Sequence, residues 1–549
     1  MKPNKTKRKS NFIVQGSILA VAGMISRIIG LLRRVPLEHI IGDIGNGYYS
    51  AAYEIYSMML IISCYSLPLA VSKVISARIS KGQYKNAEKA FQCSMIFALV
   101  SGGIGCIIME VFSEFLAADF ILEPMSELAI KVLGPAILIV AVMGVLRGYF
   151  QGLGTMIPTA ISQIIEQIFA VISGVSGAYI LFHHGEKVAS FLHNPNYSYA
   201  FGAAGATCGP LFGAVLGLIF LLFVYLQHRS GFHAQVMKDT SIRLEPNKQI
   251  MKAIVLTLIP VILGTAVYNL VNVFDQRIFN QSMINRNLLD IKAYNWGVYS
   301  GKYKVLINVP VALASAMSSS IVPVLTGLLL REEHHQAKEK IATAIRFTMI
   351  IAIPCAVGLS VLARPVITFL FKGEVDLAVK LLQIGGISVI FFTLSTLTNG
   401  ILQGINRMKI PVIHSAIALV LHIIMLYIML NVFHMNIEAV VYSNIFFALL
   451  ICVLNAISIK KYLRYRQEYI RTFIVPLACS IIMGIALLIV NALFCKVFGN
   501  LVTIIISLIV GIAVYFTLMI FLKAISYSDL MEMPGGRKFA KIARRFHLL

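Results

Sequence analysis

Acid is what this chain has least of. Its 549 residues hold 24 Asp and Glu against 47 Lys and Arg, and charged residues make up only 13%. A soluble domain carries about a quarter charged residues, so a soluble globule is excluded. The eight cysteines lie mostly in or beside apolar runs with no C-x-x-C pair, which argues against zinc or dithiol chemistry and for packing. No G-x-x-x-x-G-K-[ST] loop is present, so direct ATP hydrolysis has no support. Strict polar/apolar alternation is missing too, which removes a membrane β-barrel. The longest loops expected, near 183–199 and 280–295, are too short to house a catalytic domain.

What is present is apolar length. Hydrophobic residues make up 58% of the chain. Runs near 12–32, 50–77, 91–116, 126–147, 157–181, 201–227, 252–277, 303–330, 342–366, 379–402, 410–432, 437–457, 473–495 and 500–523 reach bilayer-spanning length. The expectation is an all-α polytopic membrane protein with about fourteen transmembrane helices. The net charge of +23 raises nucleic acid as a partner, but its placement points elsewhere. Cations cluster before the first span and after the second, sixth, eighth, twelfth and last, as in Arg78-x-x-Lys81, Lys460-Lys461 and Arg544-Arg545. Alternate connections are thus basic, while Ala117–Glu127 holds Asp119, Glu123 and Glu127. This is the positive-inside pattern, and it puts both termini in the cytoplasm. The basic tails face anionic lipid headgroups. The first apolar run lacks a convincing cleavage site and is followed by Arg33-Arg34, so it reads as an uncleaved span rather than a signal peptide.

That first span carries a stripe. Gly16, Ala20, Gly23, Arg27, Gly30 and Arg34 recur at intervals of four and three, so they share one helix face. Small residues admit a close neighbour, and a cation among them is costly in lipid. The stripe points to an internal path for something anionic.

The chain also repeats. Gly148-Tyr149-Phe150-Gln151-Gly152 leads to Met156, Pro158 and Ser162; Gly400-Ile401-Leu402-Gln403-Gly404 leads to Met408, Pro411 and Ser415. Ala87-Glu88-Lys89 and Ala337-Lys338-Glu339-Lys340 match at the same separation of about 250 residues. An even number of spans per copy makes the repeats parallel. The expected layout is a lobe at 1–230, a linker at 231–250, a second lobe at 251–460, two further helices within 461–525 and a basic tail at 526–549. The motif's glycines read as helix ends or tight turns, and its proline as a helix start.

Arg147 to Gly152, then Met156-Ile157-Pro158-Thr159-Ala160-Ile161-Ser162-Gln163 and Glu166-Gln167, resembles the signature of polysaccharide-type exporters of the multidrug/oligosaccharidyl-lipid/polysaccharide (MOP) superfamily. Ser26-Arg27-Ile28-Ile29-Gly30 with Arg33 resembles the first helix of the MurJ-like lipid II flippases, and the SpoVB/YtgP-like branch fits best. The resemblance covers nearly the whole chain. It implies two lobes rocking about a central cavity, a polyprenyl-pyrophosphate-linked sugar as cargo, and a groove for the lipid tail at 473–523. It also implies the bacterial cytoplasmic membrane, with membrane lipids and cell-wall synthesis proteins as neighbours and no nucleic acid.

A pyrophosphate suits forked, charge-assisted bonds from arginine. Arg27 leads the candidates, against a reading in which it snorkels to outer headgroups. Arg34 shares the stripe but stands at its end, where snorkelling is an equal reading. Arg33 projects about 100° away and rests on the resemblance. Where relatives often have an acid, this chain has Arg34; where they have a second-helix arginine, it has Ile61, Ile62, Ser63 and Cys64. Tyr49, Tyr53 and Tyr56 line one face of the second span, as interfacial anchors or cavity residues, with Glu54 beside them as a pairing acid. Lys302 and Lys304 open the eighth span, as cargo contacts in place of a relative's arginine or as a solvated outer end. Asn269, Asn272 and Asp275 supply oxygens for Na⁺ or H⁺ coupling, against a purely structural role. Glu166 and Gln163 read as interhelical hydrogen-bonding groups.

The function expected is a flippase for a lipid-linked cell-wall precursor, lipid II first, without bond chemistry or cofactor. Membrane potential, Na⁺ or H⁺ would drive it. Alternatives are an exporter of another lipid-linked oligosaccharide, or a cation-coupled multidrug exporter of the same superfamily. Cationic drugs call for buried acids, and the nominated charges are mainly basic.

Overall fold

The computed structural model describes residues 5–239, 244–373 and 375–522, and the side chains of these except 5–17, 20, 260–261, 263–264, 268 and 495–498. Side chains at the first and last basic clusters, at Arg243, and at Gly16 and Ala20 of the stripe therefore lie outside the described residues, as does the tail 526–549.

Every regular element among the described residues is helical. The α-helices, in order, are α1 (Lys5–Leu32), α2 (Arg34–Ser63), α3 (Leu67–Ile79), α4 (Tyr84–Val111), α5 (Glu127–Gly152), α6 (Ile157–Leu192), α7 (Asn196–Met237), α8 (Asn247–Asn285), α9 (Leu289–Val298), α10 (Lys304–Leu330), α11 (His334–Val361), α12 (Ala363–Leu370), α13 (Asp376–Gly385), α14 (Ser388–Gly404), α15 (Lys409–Asn431), α16 (Glu438–Leu463) and α17 (Val475–Phe521). A left-handed glycine, Gly499 at φ 70°, breaks α17 into two. Among the described residues, eleven stretches are long and apolar enough to span a bilayer, or twelve when α13 and α14, bent by 50°, count as one. The all-helical, multi-span fold is as expected, and the exact count of fourteen is not confirmed. Helices α1 and α8 stand where the first and seventh spans were expected, but their described side chains are incomplete.

Three stretches differ from the sequence reading. The first span was expected to stop near residue 32. Instead Arg33 N–H donates to Ile29 O at 3.1 Å and Leu37 N–H to Arg33 O at 3.3 Å, so the helical path runs on. It stops at Gly42, whose φ of 63° suits glycine alone. Hydropathy misses this because Arg33, Arg34 and Glu38 interrupt the apolar run, yet Arg33 and Glu38 are buried by protein. The loops expected at 183–199 and 280–295 are mostly helix: α6 and α7 leave only 193–195 between them, and α8 and α9 only 286–288.

By contact the chain forms two units, 1–301 and 302–549. In the first, one apolar core gathers Ile41, Tyr49, Ile55, Leu133 and Ala203. A second gathers Leu67, Val71, Leu146, Tyr149 and Phe150. The linker end is tied down there: Glu245 pairs with Arg78, accepts from Lys89 Nζ through its carbonyl at 2.7 Å, and donates its N–H to Asn86 at 3.0 Å. In the second unit, Tyr515, Met519 and Met483 pack against Ile350 and Leu362. The seven described cysteines are free.

The repeated glycines do something other than turn the chain. A Cβ on Gly148 would lie 2.7 Å from Val71 Cβ and 2.8 Å from Pro68 O; one on Gly152 would lie 2.9 Å from Ile75 Cβ. They let α5 press against α3. In the other copy Gly400 meets Ser318, and a Cβ on Gly404 would lie 3.1 Å from Leu325, so α14 presses against α10 in the same way. The turns themselves fall to Gly154 at φ 86° and Asn406 at φ 59°.

Candidate functional site

The site begins where the first helix passes into the second. Arg33 is 8% exposed. Its Nη2 donates to Tyr49 Oη at 3.0 Å. Its other edge rests on α7 at Gly209, where any Cβ would come within 2.8 Å of Arg33 Nη1. Arg34 takes a different surface of the same tyrosine: its guanidinium carbon lies 4.7 Å from the Tyr49 ring centroid and 6.0 Å from that of Tyr53. Tyr49 and Tyr53 stack at 5.7 Å and 17°, and Tyr56 continues the column at 5.8 Å. Arg33, Arg34 and Glu54 all lie within electrostatic reach of Tyr53.

The column exists because Gly42 separates the two helical stretches of α2. The stretch after it carries Tyr49, Tyr53 and Tyr56 at intervals of four and three, which keeps them on one face. Arg34 lies about 12 Å of helix before Gly42, and Arg27 about 22 Å before it. Arg33 Nε and Arg34 Nη1 are buried with no protein partner. Neither arginine forms an ion pair among the described residues. Buried guanidinium donors are normally satisfied, and charged ones most of all.

The other nominated residues are placed as follows. Arg27 is exposed, on α1, which packs along α6. On its face, Gly30 sits against Gln167, while Gly23 has nothing within 4 Å of a built Cβ. Glu54 is half-buried. Asn269 is half-buried and donates back to Thr265 O of its own helix at 2.8 Å; Asn272 is half-buried and Asp275 fully buried. No cluster of three or more His, Cys, Asp or Glu suited to a metal occurs among the described residues. In the second unit, Lys302 is 0% exposed and donates to Lys372 O at 3.1 Å, so a solvated outer end does not describe it. Lys304 is half-buried. Glu166 pairs with Arg147 at 2.8 Å, and Arg147 Nε donates to Ser162 Oγ at 3.0 Å, so the interhelical role read for Glu166 holds.

Three features had no clear sequence signal. Gly209 as the seat for Arg33 is one. Tyr49 serving both arginines is another, although its column was visible. The third is a clasp on the segment 119–123. Arg277 donates to Asp119 O at 2.7 Å and to Phe120 O, Asn280 Nδ2 to Ile121 O at 2.7 Å, and Lys292 to Leu122 O at 2.5 Å. Lys292 also pairs with Glu123 at 3.2 Å, both nearly fully buried. Burial holds the Glu123 carboxyl above its ordinary range, with Lys292 opposing.

The polysaccharide biosynthesis protein family matches residues 13–329, and the MatE family matches residues 305–428. The lipid II flippase MurJ of Bacillus subtilis (strain 168) is 27% identical over 502 residues, which is 88% of this chain and 89% of that one. Stage V sporulation protein B of the same organism is 22% identical over 478 residues, 86% of this chain and 89% of that one. Among solved structures, lipid II flippase MurJ in an inward closed conformation superposes with a TM-score of 0.65 at 15% identity, covering 94% of this chain and 99% of that one. An inward-facing multidrug resistance MATE family transporter of the MOP superfamily gives 0.63 at 15% identity, covering 82% and 99%. These likenesses carry the fold alone, but the family match spans more than half the chain: it belongs to the polysaccharide biosynthesis protein family, within the MOP superfamily.

Proposed function

We propose that this chain flips a polyprenyl-pyrophosphate-linked cell-wall precursor, lipid II first among them, from the inner to the outer leaflet of the bacterial cytoplasmic membrane. The observation that carries the reading is the Arg33–Arg34 pair. Two guanidiniums sit on one tyrosine column, each keeping a buried N–H without a protein partner. A cation inside a membrane bundle marks a pathway by default, and a diphosphate offers forked acceptors for both. Arg27, two turns earlier and exposed, supplies an approach charge for the same anion. The relatives named for lipid II flipping agree with this cargo. The basic site disfavours cationic drugs as cargo.

No bond is made or broken in such a cycle, which matches the transporters of the superfamily. Asp275 with two amides is a sparse donor set for Na⁺ on α8. We therefore assign the driving force to the membrane potential acting on the cationic site. Depletion of the protein, in cells lacking other family members, is expected to make lipid II accumulate on the inner leaflet. Wild type restores flipping and the R33A/R34A double variant does not; full rescue by the double variant sinks the proposal.

A further inference from the structure

Adjacent arginines on a helix point about 100° apart and repel each other. Here they converge, because one side chain engages both. Tyr49 is fully buried. Its hydroxyl oxygen accepts from Arg33 at 3.0 Å. Its ring face carries Arg34 at 4.7 Å. Tyr53 backs it in a near-parallel stack, so the ring cannot tilt without losing that contact. Gly209 of α7 also lies beside Arg33: a Cβ there would come within 2.8 Å of Arg33 Nη1 and 2.6 Å of the Ala170 carbonyl. Arg33 thus has Nη2 committed to the hydroxyl and Nε to spare, while Arg34 has its face on the ring and Nη1 to spare.

We infer that Tyr49 is the positioning residue that turns Arg33 and Arg34 into a two-arginine site selective for a diphosphate over a monophosphate. The inference rests on the reading that the cargo is a lipid diphosphate, and it adds what selects that group. A lone arginine fork serves one phosphate well. Two forks held by one ring serve two linked phosphates, and a monophosphate leaves the second guanidinium unsatisfied. Tyr49 touches no cargo in this role. It acts through the two arginines, by its hydroxyl for one and its face for the other.

The two contacts are separable by substitution. Tyr49→Phe removes the hydroxyl and keeps the face; Tyr49→Leu removes both. The probes are undecaprenyl diphosphate and undecaprenyl monophosphate, bound to the purified full-length chain in nanodiscs and counted by native mass spectrometry. Wild type is expected to favour the diphosphate by about tenfold or more, the scale of one charged hydrogen bond. Tyr49→Phe should lose most of that preference and retain monophosphate binding. Its loss should not add to that of Arg33→Gln. Tyr49→Leu should reduce binding of both probes. An unchanged diphosphate preference in Tyr49→Phe overturns the positioning role while the diphosphate reading stands. Wild type that binds the two probes equally, or neither, overturns both. If Tyr49→Phe does not fold, Arg33→Lys decides: it keeps the charge but loses the fork that Tyr49 aims, so full diphosphate preference in that variant overturns the inference.

Discussion

At the scale of single residues, burial separates charges that the sequence treats alike. Arg147 and Arg33 both lie in apolar surroundings, yet Arg147 has an acid and Arg33 has a tyrosine. The Arg147–Glu166 pair joins α5 to α6 at the start of the signature motif, and its role is structural. Arg147→Ala leaves Glu166 with 22% of its side chain exposed and no counter-charge. The expected cost is about 2 kcal/mol, below that of a fully buried pair. It should lower the thermal unfolding midpoint of the solubilised protein, and Arg147→Leu with Glu166→Leu should recover part of the loss. An unchanged midpoint in Arg147→Ala would remove the pair from the stability argument. Arg33→Gln should behave in the opposite way: removing a buried cation that no acid compensates costs little stability and takes its effect in cargo binding. A large fall in its midpoint would contradict that division.

At the scale of elements, the long apolar runs were legible because a spanning helix needs about 20 apolar residues and nothing else in a chain does. The fine structure was not. The junction at Arg33-Arg34 reads as a span end, since hydropathy cannot know that Glu38 at 3% exposure is covered by neighbouring helices. The signature glycines read as turn formers, since sequence does not say which helix comes near. Their packing role gives an ordered expectation. Gly148→Ala brings a Cβ against both a β-branched side chain and a backbone carbonyl, Val71 and Pro68, and should destabilise by roughly 1–3 kcal/mol. Gly400→Ala meets mainly the Ser318 hydroxyl, which can rotate, and should cost less. Equal unfolding shifts for the two variants would refute that ranking. The clasp on 119–123 makes a further case. Glu123 has its carboxyl held above the ordinary range by burial, so the clasped state binds a proton more tightly than an opened, solvated one. Its contribution is complete below the solvated carboxyl's range and fades as pH rises through the elevated folded value. Hydrogen exchange of 115–123, corrected for intrinsic rates, should therefore show more protection at lower pH. Glu123→Gln should flatten that dependence; a profile that stays as steep in the variant would assign the effect to another group.

At the scale of the whole molecule, charge placement said more than charge content. The excess of +23 looks like a nucleic-acid protein until its position on alternate connections is noticed. The same reasoning connects the arginine pair to the energetics of transport. On the proposed reading the field acts on that pair, at about 2.3 kcal/mol per elementary charge for each 100 mV crossed. If the proposed cargo is right, the loaded carrier holds two arginines against a diphosphate and is close to neutral at that site. The empty carrier holds two uncompensated cations. An inside-negative potential therefore leaves the loaded step nearly untouched and favours the empty step that returns the cations toward the cytoplasmic side. In vesicles holding the purified chain, steady-state movement of lipid II should speed up when an inside-negative potential is imposed with valinomycin. A single turnover started from loaded carrier should hardly respond. Arg34→Gln removes one of the two charges, so it should lower the voltage sensitivity of the steady state by about half at most. Equal sensitivity in wild type and Arg34→Gln would mean that the charge felt by the field lies elsewhere in the chain.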